Sequence, residues 1–145
     1  MLKLTKKADY GLIALRHLAV GPTGQSASAK EIAEAYGIPL PLLSKVLQKL
    51  ARGGLLFSVQ GTNGGYKLAR DARLISALEA IRVIDGPIIL TSCFTSHEHC
   101  DQSVRCSVRE PLRKVHERIL AVLEGTTVSE LAEDAAAPLT VLELR

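Results

Sequence analysis

The sequence predicts a mainly α-helical chain that carries one small β-hairpin and then a long C-terminal helix. Three observations predict it. Apolar residues make up 47% of the 145 positions while aromatics make up 3% and Trp is absent, a Leu/Ile/Val/Ala bias that suits helices packed on helices. Two short helical patterns are joined by the tight turn Gly37-Ile38-Pro39, and the second is apolar on one side and basic on the other. A glycine-rich segment, Gly61-Thr62-Asn63-Gly64-Gly65, then separates two short strand patterns.

Residues 5–20 read as the first helix, with Ala8, Leu12, Leu15, Leu18 and Ala19 on one face. Thr5 suits the N-cap and Gly21-Pro22 the stop. Asp9 falls in the first turns, where a carboxylate complements the helix dipole, and His17 is a helix residue without a ligand role. Ser28-Ala-Lys-Glu31 forms a capping box that opens a helix over about 29–36, and Gly37 ends it. A third helix follows over roughly 41–52, with Pro41 acceptable in its first turn. Leu43, Val46, Leu47 and Leu50 recur at helical spacing, and Ser44, Lys45, Gln48, Lys49 and Arg52 take the other side. Such a pair of helices is a helix–turn–helix pattern; the plainer reading is an αα-hairpin with a solvated charged face.

The next segment favours the first reading. Leu55–Val59 reads as a strand, residues 61–65 as a hairpin tip and Tyr66–Ala69 as the return strand, which makes a wing. Its glycines would let backbone approach a duplex, with Lys67 and Arg70 adding charge. A phosphate-cradling nucleotide loop is the poorer reading, since no Gly-Lys-Ser/Thr appears. Residues 74–85 read as a further amphipathic helix with Leu74, Leu78, Ile81 and Ile84 inward, and Gly86-Pro87 breaks it. A long helix to about Glu124 carries Val108, Leu112, Val115, Ile119, Val122 and Leu123 at spacings of three and four. That narrow seam suits a dimer contact, or packing on its own domain. Thr127 to Leu131 makes a last helical turn, and the residues beyond read as a frayed tail. The chain thus divides into a winged helix–turn–helix domain (1–70), a linking helix and loop (71–106), a dimerisation helix (107–124) and a helical turn with a flexible tail (125–145).

Charge is distributed unevenly. Residues 1–70 hold ten Lys/Arg against three Asp/Glu, whereas residues 71–145 hold eight against twelve. A basic N-terminal half is the electrostatic footprint of phosphate binding. No apolar run approaches the ~18 residues of a membrane span, and the N-terminus lacks a signal-peptide core, so a cytoplasmic protein without a membrane partner is expected. No nucleophile elbow, paired-carboxylate or H-E-x-x-H pattern occurs; neither enzymatic activity nor a small-molecule substrate is expected.

All three cysteines and two of the four histidines fall in one stretch, Cys93-Phe-Thr-Ser-His97-Glu-His99-Cys100-Asp101-Gln-Ser-Val-Arg-Cys106. An odd number of crowded cysteines in a reducing compartment points to ligation or redox chemistry rather than to disulfides. Soft thiolates suit an iron–sulfur cluster. Zinc is the rival, with His97, His99, Cys100 and Cys106 as a tetrahedral set, although the usual short knuckle spacing is missing. A metal-free thiol switch is the third option.

With these residues laid out, the chain resembles the winged-helix iron–sulfur cluster regulators that include IscR, NsrR and RirA. It is most similar to the branch of SUF-system iron–sulfur assembly regulators. The resemblance spans about 1–133 and is carried by Leu4-Thr5-Lys6-Lys7-Ala8-Asp9-Tyr10, the helix–turn–helix, Gly64-Gly65-Tyr66-Lys67-Leu68, the three cysteines and Cys106-Ser-Val-Arg-Glu110. It implies a homodimeric regulator, a repressor of transcription, on a double-stranded DNA operator. A [2Fe–2S] or [4Fe–4S] cluster would be held by Cys93, Cys100 and Cys106. Where one branch has a histidine ligand three residues past the last cysteine, this chain has Arg109. Another branch takes an aspartate from the partner's first helix, and Asp9 occupies that place; His97, His99 and Glu110 compete for the role. Such a site would respond to oxygen, nitric oxide, or iron and sulfide scarcity.

On DNA, Lys45, Gln48 and Lys49 would face the major groove beside Arg52. Ser44 would meet phosphate, and Thr62, Asn63 and Lys67 of the wing would meet backbone or minor groove. Two other classes stand beside this reading: a zinc-stabilised or thiol-redox winged-helix repressor, and a winged-helix protein–protein adaptor that never meets DNA.

Overall fold

The computed structural model describes residues 4–62, 64–89 and 107–134. Local caps start and stop the first helices. In α1 (Lys6–Val20) the Thr5 hydroxyl accepts from the Ala8 amide at 3.1 Å. In α2 (Ala29–Tyr36) the Ser28 hydroxyl accepts from the Glu31 amide at 3.1 Å, and Gly37, at φ 65°, closes the helix in the left-handed conformation. The recognition-type helix α3 (Leu40–Arg52) begins one residue before its expected start and buries Leu43, Val46, Leu47 and Leu50.

Strands β1 (Leu56–Val59) and β2 (Gly65–Leu68) pair antiparallel, from Leu56 opposite Leu68 to Val59 opposite Gly65. A single bridge extends this hairpin inward. The Ala27 amide donates to the Tyr66 carbonyl at 2.9 Å and the Tyr66 amide returns a bond to the Ala27 carbonyl at 2.8 Å. The wing is thereby stitched to the residue that precedes the Ser28 cap.

The expected helix over 74–85 divides. A 3₁₀ turn occupies Ala72–Leu74, and α4 runs Ala77–Asp85 with Ser76 as its N-cap. Leu74, expected in the core, is 67% exposed, and Ile75 is fully buried in its place. The cause lies far along the chain. The Val128 amide donates to the Ile75 carbonyl at 2.9 Å and the Ala77 amide to the Thr126 carbonyl at 2.8 Å, which holds residues 75–76 extended.

Helix α5 (Arg109–Gly125) buries none of its residues and packs on α4. Helix α6 (Val128–Asp134) is longer than the expected turn and packs against α1 and the 3₁₀ turn, with Val128 fully buried. One core therefore gathers Leu15, Ile32, Leu43, Leu47, Leu50, Leu56, Ile75 and Val128 from both ends of the chain. Helix α3 and strand β1 of the wing pack side by side on it.

Candidate nucleic-acid interface and metal-ligating residues

Helix α3 turns about 100° per residue, so burial of Leu43, Val46, Leu47 and Leu50 fixes which side chains face outward. Lys45, Gln48 and Arg52 cluster opposite the buried stripe and are exposed; Ser44 sits half-buried on one flank. Lys49 sits on the other flank. It is exposed, yet its ammonium is turned back onto the protein, donating to the Ile84 carbonyl at 3.2 Å. The sequence pattern places Lys49 with the outward residues because it registers only that the position is polar.

In the wing, Thr62 is exposed at the tip and Lys67 is half-buried on β2, opposite the exposed Phe57 on β1. Asn63 lies outside the described residues. The glycines of the tip serve the wing's own closure. A Cβ on Gly65 would stand 2.3 Å from the Ala27 carbonyl oxygen, and one on Gly64 would stand 2.4 Å from that of Val59. Arg70 is also committed internally: its guanidinium grips both carboxylate oxygens of Glu79, one of them at 3.2 Å. That hydrogen bond to Glu79 raises the Arg70 pKa and ties the root of the wing to α4. Next to it, the Arg73 side chain and amide hold the Asp71 carboxyl down to about 2.

The five sulfur and imidazole candidates, Cys93, Cys100, Cys106, His97 and His99, lie outside the described residues. Among the described residues no group of three His, Cys, Asp or Glu could hold a metal. The two carboxylate candidates differ sharply. Asp9 is exposed in the first turn of α1, and its carboxylate has no hydrogen bond or ion pair among the described residues. Glu110 is clamped by the Arg113 guanidinium, with Nε at 3.0 Å from Oε2 and Nη2 against Oε1. The Arg113 hydrogen bond lowers its pKa. A carboxylate already engaged by a guanidinium is the poorer ligand of the two, and thiolate with carboxylate is a donor chemistry that an iron–sulfur cluster accepts.

Asp85 is a residue that sequence reasoning passed over. It ends α4, where a carboxylate opposes the helix dipole, and it accepts from the Thr5 hydroxyl at 2.5 Å. Its misfit with the local dipole is the one signal that could have singled it out.

A family model described as an iron-dependent transcriptional regulator, Rrf2, matches residues 4–134. Among solved structures, the global cysteine regulator CymR of B. subtilis is 30% identical with a TM-score of 0.77, over 92% of this chain and 98% of that one. The oxidized form of S. aureus CymR is 29% identical with a TM-score of 0.73, over 95% of this chain and 99% of that one. T. potens IscR is 31% identical with a TM-score of 0.69, over 99% of this chain and 97% of that one.

Proposed function

The chain belongs to the Rrf2 family of transcriptional regulators, and from that premise we propose that it is a homodimeric repressor whose grip on its operator is set by an iron–sulfur cluster. The family's members regulate transcription and are not enzymes. The observation that carries the DNA-binding part is the outward face of α3, where Lys45, Gln48 and Arg52 stand exposed next to the wing. Bases would be read from that face, with Ser44 and the wing residues Thr62, Asn63 and Lys67 on phosphate or minor groove.

Cys93, Cys100 and Cys106 would hold the cluster, [2Fe–2S] or [4Fe–4S], with Asp9 of the partner subunit as the fourth ligand. The cluster supplies an oxidisable centre whose carboxylate corner is more easily displaced than a fourth thiolate. Asp9 is the favoured corner because its carboxylate is unengaged among the described residues while that of Glu110 is held by Arg113. Bridging two chains in this way would tie cluster occupancy to the spacing of the two reading helices.

A second reading has its own support. The CymR structures, one in an oxidized form and one described as a cysteine regulator, resemble this chain as closely in sequence as T. potens IscR does. On that reading the same three cysteines act as a metal-free thiol switch. Purification without air separates the two. Cluster binding predicts a coloured protein with iron and acid-labile sulfide that vanish when the cysteines become serine. A thiol switch predicts a colourless protein whose operator binding changes with oxidant alone. Colourless protein with operator binding indifferent to oxidant would sink both.

A further inference from the structure

We propose that the last turn of α4 is a bracket that sets the tilt of α3, and that Lys49 and Asp85 are positioning residues for DNA binding that touch no DNA. Two hydrogen bonds from different helices converge there. Lys49 of α3 donates to the Ile84 carbonyl at 3.2 Å, and Thr5, the N-cap of α1, donates to the Asp85 carboxylate at 2.5 Å. Because the Gly86 amide already takes the Arg82 carbonyl at 2.8 Å, the Ile84 carbonyl is one of the terminal acceptors that α4 leaves open. An ammonium there also suits the negative end of the helix dipole.

Packing makes the same turn a fulcrum. A Cβ on Gly11 of α1 would stand 2.2 Å from Ile84 Cδ1, and one on Gly53, just past α3, would stand 2.6 Å from Val83 Cγ1. Gly11 within α1 and Gly53 at the C-cap of α3 thus each leave a notch for consecutive residues of one turn. Asp85 breaks a local rule, a carboxylate at a helix C-terminus, and such departures mark positions serving something beyond their own element. The carboxylate gains its partner from α1, so the cost to α4 is offset only when α1 and α4 are docked.

The inference rests on the DNA-binding reading above, and one set of measurements separates the two. Lys49→Met, Lys49→Arg and Asp85→Ala are titrated against a duplex selected by the wild-type chain from a randomised pool and against an unselected duplex, over a range of salt. Positioning predicts that Lys49→Met and Asp85→Ala each weaken the selected duplex roughly 3- to 10-fold, the scale of one hydrogen bond. It also predicts an unchanged salt slope, unchanged unselected binding and rescue by Lys49→Arg. A phosphate contact predicts a salt slope lower by about one for Lys49→Met and equal losses on both duplexes. Plain electrostatics predicts that Asp85→Ala, which removes a negative charge, binds more tightly. Either of these last results overturns the inference and leaves the DNA-binding reading intact. Wild-type chain without salt-dependent duplex binding overturns both.

Discussion

Gly65 shows how a single residue decides whether the wing can form. Its φ of 150° and the 2.3 Å approach of any Cβ to the Ala27 carbonyl leave no room for a side chain, because the obstacle is backbone that is itself paired to Tyr66. Gly37 also lies at positive φ, 65°, but nothing stands within 4 Å of its Cβ position. The two therefore separate strain from clash. Gly37→Ala is expected to cost about 1–2 kcal/mol, the backbone term alone. Gly65→Ala should cost about 3 kcal/mol or more, since bridge and hairpin must separate. Urea unfolding of the two variants checks this, and equal costs would mean that the Ala27–Tyr66 bridge is not what constrains the wing. Ile75 and Leu74 offer a parallel contrast: Ile75→Ala should lose about 2–5 kcal/mol, and Leu74→Ala, at 67% exposure, no more than about 0.5 kcal/mol.

At the scale of elements, what could be read in advance follows from how local the deciding contacts are. Helices α1 to α3 start and stop on signals within a few residues, Thr5, Ser28 and Gly37, and their bounds came out within one residue. Helix α4 did not, because Leu74 and Ile75 both suit an amphipathic pattern and the choice between them is made by Val128, over fifty positions away. The same long-range pairing makes α6 a core element where only a last helical turn was expected, and no local residue pattern announces its burial. Lys49 shows a related limit: the pattern separates polar from apolar and carries nothing of the bond its ammonium makes to the Ile84 carbonyl.

Helix α5 carries its own titratable girdle. Arg113 pairs with Glu110 at i,i+3 and Glu117 at i,i+4, and the Arg113 hydrogen bond depresses the Glu110 pKa. A depressed carboxylate contributes stability that is fully present above its ordinary pKa and is lost as pH falls through its lower folded value. Acidifying below the usual Glu range should therefore loosen the N-terminal turn of α5 before the buried core yields. Amide exchange at residues 112–117 as a function of pH reads this out; protection that holds steady down to the pH of global unfolding would contradict it.

For the whole molecule, the decisive fact is that α5 is a 17-residue helix with no buried residue although it is studded with valine, leucine and isoleucine. Val108, Val115 and Val122 are spaced seven apart and are 53%, 43% and 67% exposed, while Leu112, Ile119 and Leu123 on the neighbouring stripe are half-buried. Ile119 and Leu123 line an apolar cavity of about 340 Å³ with Ile81 of α4 and Ile88 and Ile89 beyond it. Among the described residues the helix is thus covered on its α4 side and open along a heptad stripe, which on the homodimer proposed above would be the seam with a second copy. A substitution on the exposed stripe should act on assembly and not on the fold. Val122→Glu is expected to change monomer stability by no more than about 0.5 kcal/mol. It should also shift sedimentation toward the monomer and weaken operator binding, since a lone winged head reaches one half-site only. Monomer that forms yet binds the full operator as tightly as wild type would mean that pairing is not how this chain achieves affinity. A dimer that persists with glutamate at positions 115 and 122 together would put the interface on another face.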